Sequence, residues 1–227
     1  MSFVPGFTEL LLNHLKKDER QRILKSIMVS AAPELWLSLE SAALLDINRE
    51  HFGLGGQLDQ RDDYRPSNIS VARSNVPRWL IAAERRKVDI WVEDSYGEEA
   101  ATAIEFKVVH NNKNAYYKIW EIRKDLVKQI PRTSPDERIE RWGIVLLSYS
   151  RFYSDQQGNY SYGKFDSCPA FLAAFENGLN DNNEWYAGAP ELELVMKPTR
   201  IADLDDAHYI EPGKGSGVYL ALVRCKA

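Results

Sequence analysis

Apolar residues recur at helical spacing through the first part of the chain. Between residues 7 and 30, apolar residues that show this spacing include Leu10, Leu11, Leu15, Ile23, Leu24 and Ile27. This period predicts one long helix or two shorter helices around the charged run at residues 16–20. Pro33 and Glu34 suit the first turn of a further helix, which we expect to extend to about Ile47.

The pattern changes to that of β-strands in the middle of the chain. Two segments rich in β-branched residues, 88–92 and 103–109, flank a short polar stretch that contains Gly97. This arrangement predicts a β-hairpin with its turn near Gly97. We expect three acidic residues of the turn to be solvated, namely Asp94, Glu98 and Glu99.

An amphipathic helix and a buried strand are predicted to follow the hairpin. The helix begins at about Ala115, continues to Ile130 and is ended by Pro131. The continuous apolar run at residues 142–149 is typical of a strand that is covered on both faces.

The remaining segments have weaker patterns. Residues 51–75 and 153–164 are polar and rich in turn-forming residues, so we expect loops there. A short helix at 170–179 and strands at 191–196 and 218–224 are predicted near the end of the chain.

Charged residues interrupt the apolar pattern of the hairpin. Glu105 and Lys107 project from one face of their strand, because successive side chains alternate across a strand. A turn centred near Gly97 brings Asp89 opposite Glu105, and cross-strand neighbours approach within about 5 Å. Two carboxylates at this distance repel each other, and a divalent cation with oxygen ligands relieves the repulsion. A structural ion pair at a sheet edge is the alternative interpretation of these charges.

Asp89 followed by Glu105-Phe106-Lys107 resembles the PD-(D/E)xK signature of restriction-endonuclease-like nucleases. The similarity covers about the middle third of the chain, and Val88 stands where the family pattern has proline. The order helix, hairpin, helix, strand is also that of the family's core, so the resemblance implies an α/β fold with a restriction-endonuclease-like core, in which helices flank a mixed sheet. It also implies Mg²⁺ or Mn²⁺ bound by Asp89 and Glu105, a further ligand from the Phe106 carbonyl, and water activation by Lys107.

The resemblance implies two helical residues at the same site. Many family members carry a glutamate on the helix before the hairpin, and this role falls on Glu40, with Glu34 as the second candidate. A salt bridge from Glu40 to the arginines at 85–86 is the alternative. A glutamine or lysine on the helix after the hairpin often assists the site, which points to Gln129; its alternative is a polar boundary residue.

Length and composition limit the classes of protein that need to be considered. The 227 residues suffice for a single domain, which we divide into N-terminal helices and a loop (1–75), a core (76–150) and a C-terminal elaboration (151–227). Only two cysteines occur, and no signal segment or long apolar run is present, so we expect a cytoplasmic protein without a membrane partner.

Charge is distributed unevenly in this acidic chain, whose formal net charge is −4. Residues 107–141 contain nine basic and five acidic side chains, whereas residues 166–211 contain two basic and ten acidic ones. Phosphate backbones bind to clustered lysine and arginine, so any nucleic acid is expected to contact the first of these segments. The second segment is expected to face solvent or a basic partner.

These observations predict a metal-dependent nuclease that hydrolyses phosphodiester bonds of nucleic acid, with DNA as the favoured substrate. A non-catalytic protein that uses the same fold to bind a protein partner is the main alternative, and a hydrolase or transferase of small phosphate esters is a second one. The sequence leaves open whether the protein acts as a homodimer.

Overall fold

A mixed six-stranded sheet forms the centre of the computed structural model. The structure describes residues 2–28, 33–56, 77–128, 130, 137–154, 160–180, 190–204 and 215–226. The strands are β1 (Trp79–Arg85), β2 (Val88–Asp94), β3 (Ala101–His110), β4 (Ile139–Tyr149), β5 (Phe152–Ser154), β6 (Tyr160–Tyr162), β7 (Leu192–Asp203) and β8 (Gly217–Cys225). The helices are α1 (Val4–Leu15), α2 (Asp18–Met28), α3 (Pro33–Ile47), α4 (Ala115–Val127) and α5 (Cys168–Gly178), with a 3-10 turn at Arg49–Phe52.

The strand order in the sheet is β1-β2-β3-β4-β8-β7. Only the β3–β4 pair is parallel, and α4 makes the crossover between these two strands. All other pairs of the sheet are antiparallel. The predicted α/β class, with a mixed sheet flanked by helices, is therefore confirmed.

Helices cover both faces of the sheet. The first three helices pack on one face through fully buried side chains such as Phe7, Leu24 and Leu37, which meet Phe106 of β3. Helices α4 and α5 cover the other face through Ile119, Ile122 and Phe171, among others. Burial of each such side chain contributes about 1.5–3 kcal/mol, which makes the two apolar layers the main source of stability.

Most predicted elements are present. The first helical region forms two helices, which is one of the two arrangements that its period predicted. The region expected to form a loop at 153–164 instead overlaps the two short strands β5 and β6, which pair with each other. Strand β7 is longer than predicted because it continues through three register irregularities along β8. Residues 57–75 of the loop expected at 51–75 lie outside the described residues.

Turns at the two ends of β2 have different backbone chemistry. The turn before β2 places Arg86 and Lys87 at φ +54° and +63°, a left-handed conformation that side chains other than glycine rarely adopt. The turn after β2 contains Gly97 at φ +71°, as predicted for the centre of the hairpin.

No helix of the described residues is both long and apolar enough to cross a membrane.

Candidate functional site

Strands β2 and β3 are paired for only part of their length. Their pairs are Ile90–Ile104, Trp91–Ala103 and Val92–Thr102, and one further step in this register brings Asp89 opposite Glu105, as predicted. Beyond these pairs the N–H groups of β3 bond to side chains instead of to β2. The Phe106 amide donates to Asp89 Oδ2 at 2.5 Å, and the Val108 amide donates to Glu34 Oε1 at 2.9 Å.

The charged form is disfavoured for two carboxylates in this gap. Glu105 is only 5 % exposed, and burial, together with the charge of Asp89, raises its pKa to about 7. Burial also raises the pKa of Asp89, and the charges of Glu84 and Glu34 raise it further. The hydrogen bond from the Phe106 amide and the charge of Lys107 lower it, but by less. The pair therefore favours a proton or a cation between its members.

Lys107 is held beside these carboxylates by α4. Its Nζ lies 2.7 Å from Asp125 Oδ2. Burial alone would lower the pKa of Lys107, but the Asp125 hydrogen bond and the charges of Glu34 and Glu105 outweigh it, so the pKa is raised. Lys107 is therefore a permanent cation at neutral pH.

Lys128, just after α4, makes the closest contact with Glu105. Its Nζ lies 2.6 Å from Glu105 Oε1, but the direction of approach is not that of a hydrogen bond, and this buried oxygen has no hydrogen-bond partner. The contact is therefore an ion pair at short distance without a directed hydrogen bond.

A glycine allows α4 to approach the sheet at this point. Gly143 of β4 is the parallel-strand neighbour of Glu105, and a β-carbon added there would lie 3.1 Å from Leu126 Cδ1. Leu126 lies between Asp125 and Lys128 on α4, so the small residue on β4 brings both charged side chains to the strand residues they contact.

Glu34, the second candidate of the sequence analysis, lies at the site, whereas the structure does not bring Glu40 to it. Glu40 comes six residues after Glu34, which is about 9 Å along a helix axis and about 240° around it. Its carboxylate instead contacts His14 at 2.7 Å and Arg20 at 3.2 Å. The expected alternative, a bridge from Glu40 to the arginines at 85–86, is wrong as well.

The other predicted residues have mixed outcomes. Gln129 lies outside the described residues, and the α4 region instead contributes Asp125 and Lys128. Sequence reasoning missed Lys128, whose signal in the sequence is its position three residues after Asp125. Phe106 lies in the gap through its backbone, while its side chain is fully buried under the first three helices.

The site fits a hard cation in its donor chemistry, although its side chains are not gathered around one point. Asp89, Glu105 and Glu34 offer carboxylate oxygens, the ligands that Mg²⁺ prefers, and one Glu105 oxygen is buried without a hydrogen-bond partner. Among the described residues, no three His, Cys, Asp or Glu side chains are grouped closely enough to hold a metal ion. Lys128 instead supplies the positive charge beside Glu105.

In the turn between β2 and β3, the prediction that Asp94 is solvated was wrong. Asp94 is not solvated: its side chain is fully buried and accepts two hydrogen bonds from Arg78, at 2.8 and 2.9 Å. Arg78 is therefore a structural partner of this turn.

Comparison with known proteins adds no relative to this description. No protein-family model matches the chain, and neither a curated protein nor a solved structure matches it.

Proposed function

We propose that this protein is a metal-dependent nuclease with a restriction-endonuclease-like core, which hydrolyses phosphodiester bonds of nucleic acid, most favourably DNA. The observation that carries the proposal is the pairing of the buried Glu105 carboxylate with the half-buried Asp89 carboxylate, beside a charged lysine at a gap between strands. Perturbed titratable groups at such a point are typical of catalytic sites. The sequence resemblance at these three positions points to the same chemistry.

Asp89 and Glu105 would hold a Mg²⁺ or Mn²⁺ ion, with Glu34 beside them. The Phe106 carbonyl is a suitable further ligand, because the N–H and C=O of a strand residue point to the same side and this N–H points into the gap. When bound, the ion would lower the pKa of a water molecule and offset charge on the phosphate oxygens.

Lys107 would act as a positioning cation and not as a proton acceptor. Its raised pKa keeps the ammonium charged, so it can donate hydrogen bonds to the attacking water or to a phosphate oxygen. Asp125 would hold the ammonium in place through the 2.7 Å contact. Lys128 would have to leave Glu105 Oε1 when the metal ion enters.

The test is Glu105→Gln, which keeps the size of the side chain and removes its charge. We expect cleavage of plasmid or of circular single-stranded DNA in Mg²⁺ or Mn²⁺ to fall by about 10³-fold or more, since each 1.36 kcal/mol of lost transition-state stabilisation costs a factor of ten. The matched control is Glu193→Gln, an exposed glutamate on β7. Full activity of the Glu105 variant, or cleavage in EDTA, would contradict the proposal.

A non-catalytic protein is the second candidate, and one observation favours it. Each lysine at the site is already paired, Lys107 with Asp125 and Lys128 with Glu105, as in a purely structural ion cluster. Such a protein would bind no Mg²⁺ in calorimetry and cleave no nucleic acid, and it would use the fold as a scaffold for a protein partner.

A further inference from the structure

We infer that the exposed face of α4 binds an unpaired strand of nucleic acid and leads it to the site at Glu105. This inference rests on the proposed function, because it names the form of the substrate. The relevant surface, called the α4 face below, consists of Tyr116, Tyr117, Trp120, Lys124 and Lys164.

Aromatic rings are concentrated on the α4 face in a way that a helix facing only water does not require. Tyr116 is 55 % exposed and Tyr117 is 53 % exposed. The rings of Tyr117 and Trp120 lie side by side, with centroids 5.6 Å apart and planes inclined by 30°. Bases of an unpaired strand stack on such rings, whereas the bases of a duplex are already stacked on one another.

Lysines lie next to these rings. Lys124 Nζ lies 5.6 Å from the centre of Trp120, and Lys164 Nζ lies 5.7 Å from the centre of Tyr116. Both lysines are exposed. Three rings flanked by two ammonium groups offer stacking surfaces beside positive charge, and this combination suits the bases and phosphates of a single strand better than it suits an apolar protein partner.

The α4 face is continuous with the candidate active site. Lys124 precedes Lys128 by one helical turn, and Lys128 contacts Glu105 at 2.6 Å. On the neighbouring row of the helix, Tyr117 precedes Asp125, the residue that holds Lys107, by about two turns. A strand that follows these rows ends at the two carboxylates.

The test is a binding measurement that does not depend on cleavage. Fluorescence anisotropy with labelled fifteen-nucleotide oligothymidine, oligouridine and a duplex of equal length, all in EDTA, reports affinity without metal chemistry. We expect one or both single strands to bind at least tenfold more tightly than the duplex. Tyr117→Ala should weaken this binding about tenfold, since stacking contributes about 1–3 kcal/mol per base.

Three variants separate stacking from general effects. Tyr117→Phe keeps the ring and should bind like the wild type. Lys124→Ala should weaken binding and reduce its salt dependence, because one phosphate contact is lost. Leu39→Ala, which removes a 51 %-exposed apolar side chain on α3 across the sheet, is the matched control and should change nothing.

The outcomes distinguish failure of this inference from failure of the proposed function. Preference for duplex, absence of binding, or unchanged binding by Tyr117→Ala would overturn the inference, even if Glu105-dependent cleavage were found. Tyr117-dependent binding of single strands without any cleavage would support the inference and identify a binding protein instead of a nuclease.

Discussion

A buried carboxylate lies at each end of strand β2, Asp94 at its last residue and Glu105 of β3 beside its first residues, and the surroundings of the two are opposite. Asp94 accepts two hydrogen bonds from Arg78 and one each from the backbone amides of Tyr96, Glu98 and Glu99. These donors and the charge of Arg78 lower the pKa of Asp94 although burial opposes them. At the other end Glu105 lies opposite Asp89, and its pKa is raised to about 7; its Oε1 has only the ion pair with Lys128 and no directed hydrogen bond.

The comparison separates a structural carboxylate from one that is available for chemistry. A buried charge that is surrounded by donors is satisfied and stabilises the turn. A buried charge that faces another carboxylate and has few donors costs free energy unless a ligand supplies the missing partner. The end of β2 that carries this cost also carries the non-glycine turn at Arg86 and Lys87, and backbone strain of this kind tends to occur near functional sites.

The largest effect on stability is expected at Asp94. Asp94→Asn removes the charge that pairs with Arg78 and replaces acceptor oxygens by an amide nitrogen, which should lower the free energy of unfolding by about 3 kcal/mol. Urea unfolding measures this loss. The control is Glu98→Gln, since the Glu98 side chain is 68 % exposed and should contribute less than about 0.5 kcal/mol. Equal effects of the two substitutions would show that Asp94 is not the centre of the turn.

The pH dependence of stability should have opposite signs at the two ends. The folded pKa of Glu105, about 7, exceeds its ordinary value of 4.5, so its contribution is fully present below pH 4.5 and is lost as pH rises through 7. The pKa of Asp94 is lowered, so its contribution is present above its ordinary value of 3.8 and is lost as pH falls through the folded pKa.

Unfolding of Glu105→Gln at two pH values measures this difference. The amide mimics the protonated acid, so the variant should exceed the wild type by on the order of 2 kcal/mol at pH 8.5 and equal it at pH 4.5. The same gain at both pH values would show that Glu105 is not protonated in the folded protein. Saturating Mg²⁺ should reduce the difference at pH 8.5 by stabilising the charged wild-type site.

A smaller effect is expected on metal affinity when Lys128 is replaced. Lys128→Met removes the ammonium that competes with a metal ion for Glu105 Oε1, so the Mg²⁺ affinity should increase about tenfold. Calorimetry at pH 8.5 avoids competition from the proton on Glu105. Lys124→Met, one turn earlier on α4, serves as the control. A loss of stability without any gain in affinity would instead support a structural ion pair and the scaffold function.

The smallest effect is expected at the turn before β2. Lys87→Gly should raise the free energy of unfolding by about 0.5–1 kcal/mol, because glycine adopts the observed φ of +63° without a steric cost. Gly97→Ala at the other turn, where φ is +71°, should lower it by a similar amount, since no neighbouring atom within 4 Å compensates. Thermal unfolding resolves both changes. A destabilising Lys87→Gly would mean that the lysine side chain makes a necessary contact.

The sequence by itself determined the elements and one register. Helical and alternating periods between residues 4 and 149 depend on which side chains must be buried, and this local requirement predicted the helices, the hairpin and the buried strand β4. Gly97 placed the turn, and counting outward from it paired Asp89 with Glu105. Both results rest on distances along the chain that the backbone geometry sets.

The tertiary structure alone decided which charges meet across elements. Glu34 and Glu40 are both glutamates of α3. The packing of α3 against β3 brings Glu34, and not Glu40, to the Val108 amide. Lys128 reaches Glu105 because Gly143 admits α4 close to β4, and Asp94 is buried because Arg78 folds back on it. A charged side chain gains its free energy from partners far away in sequence, so periodicity carries no information about them.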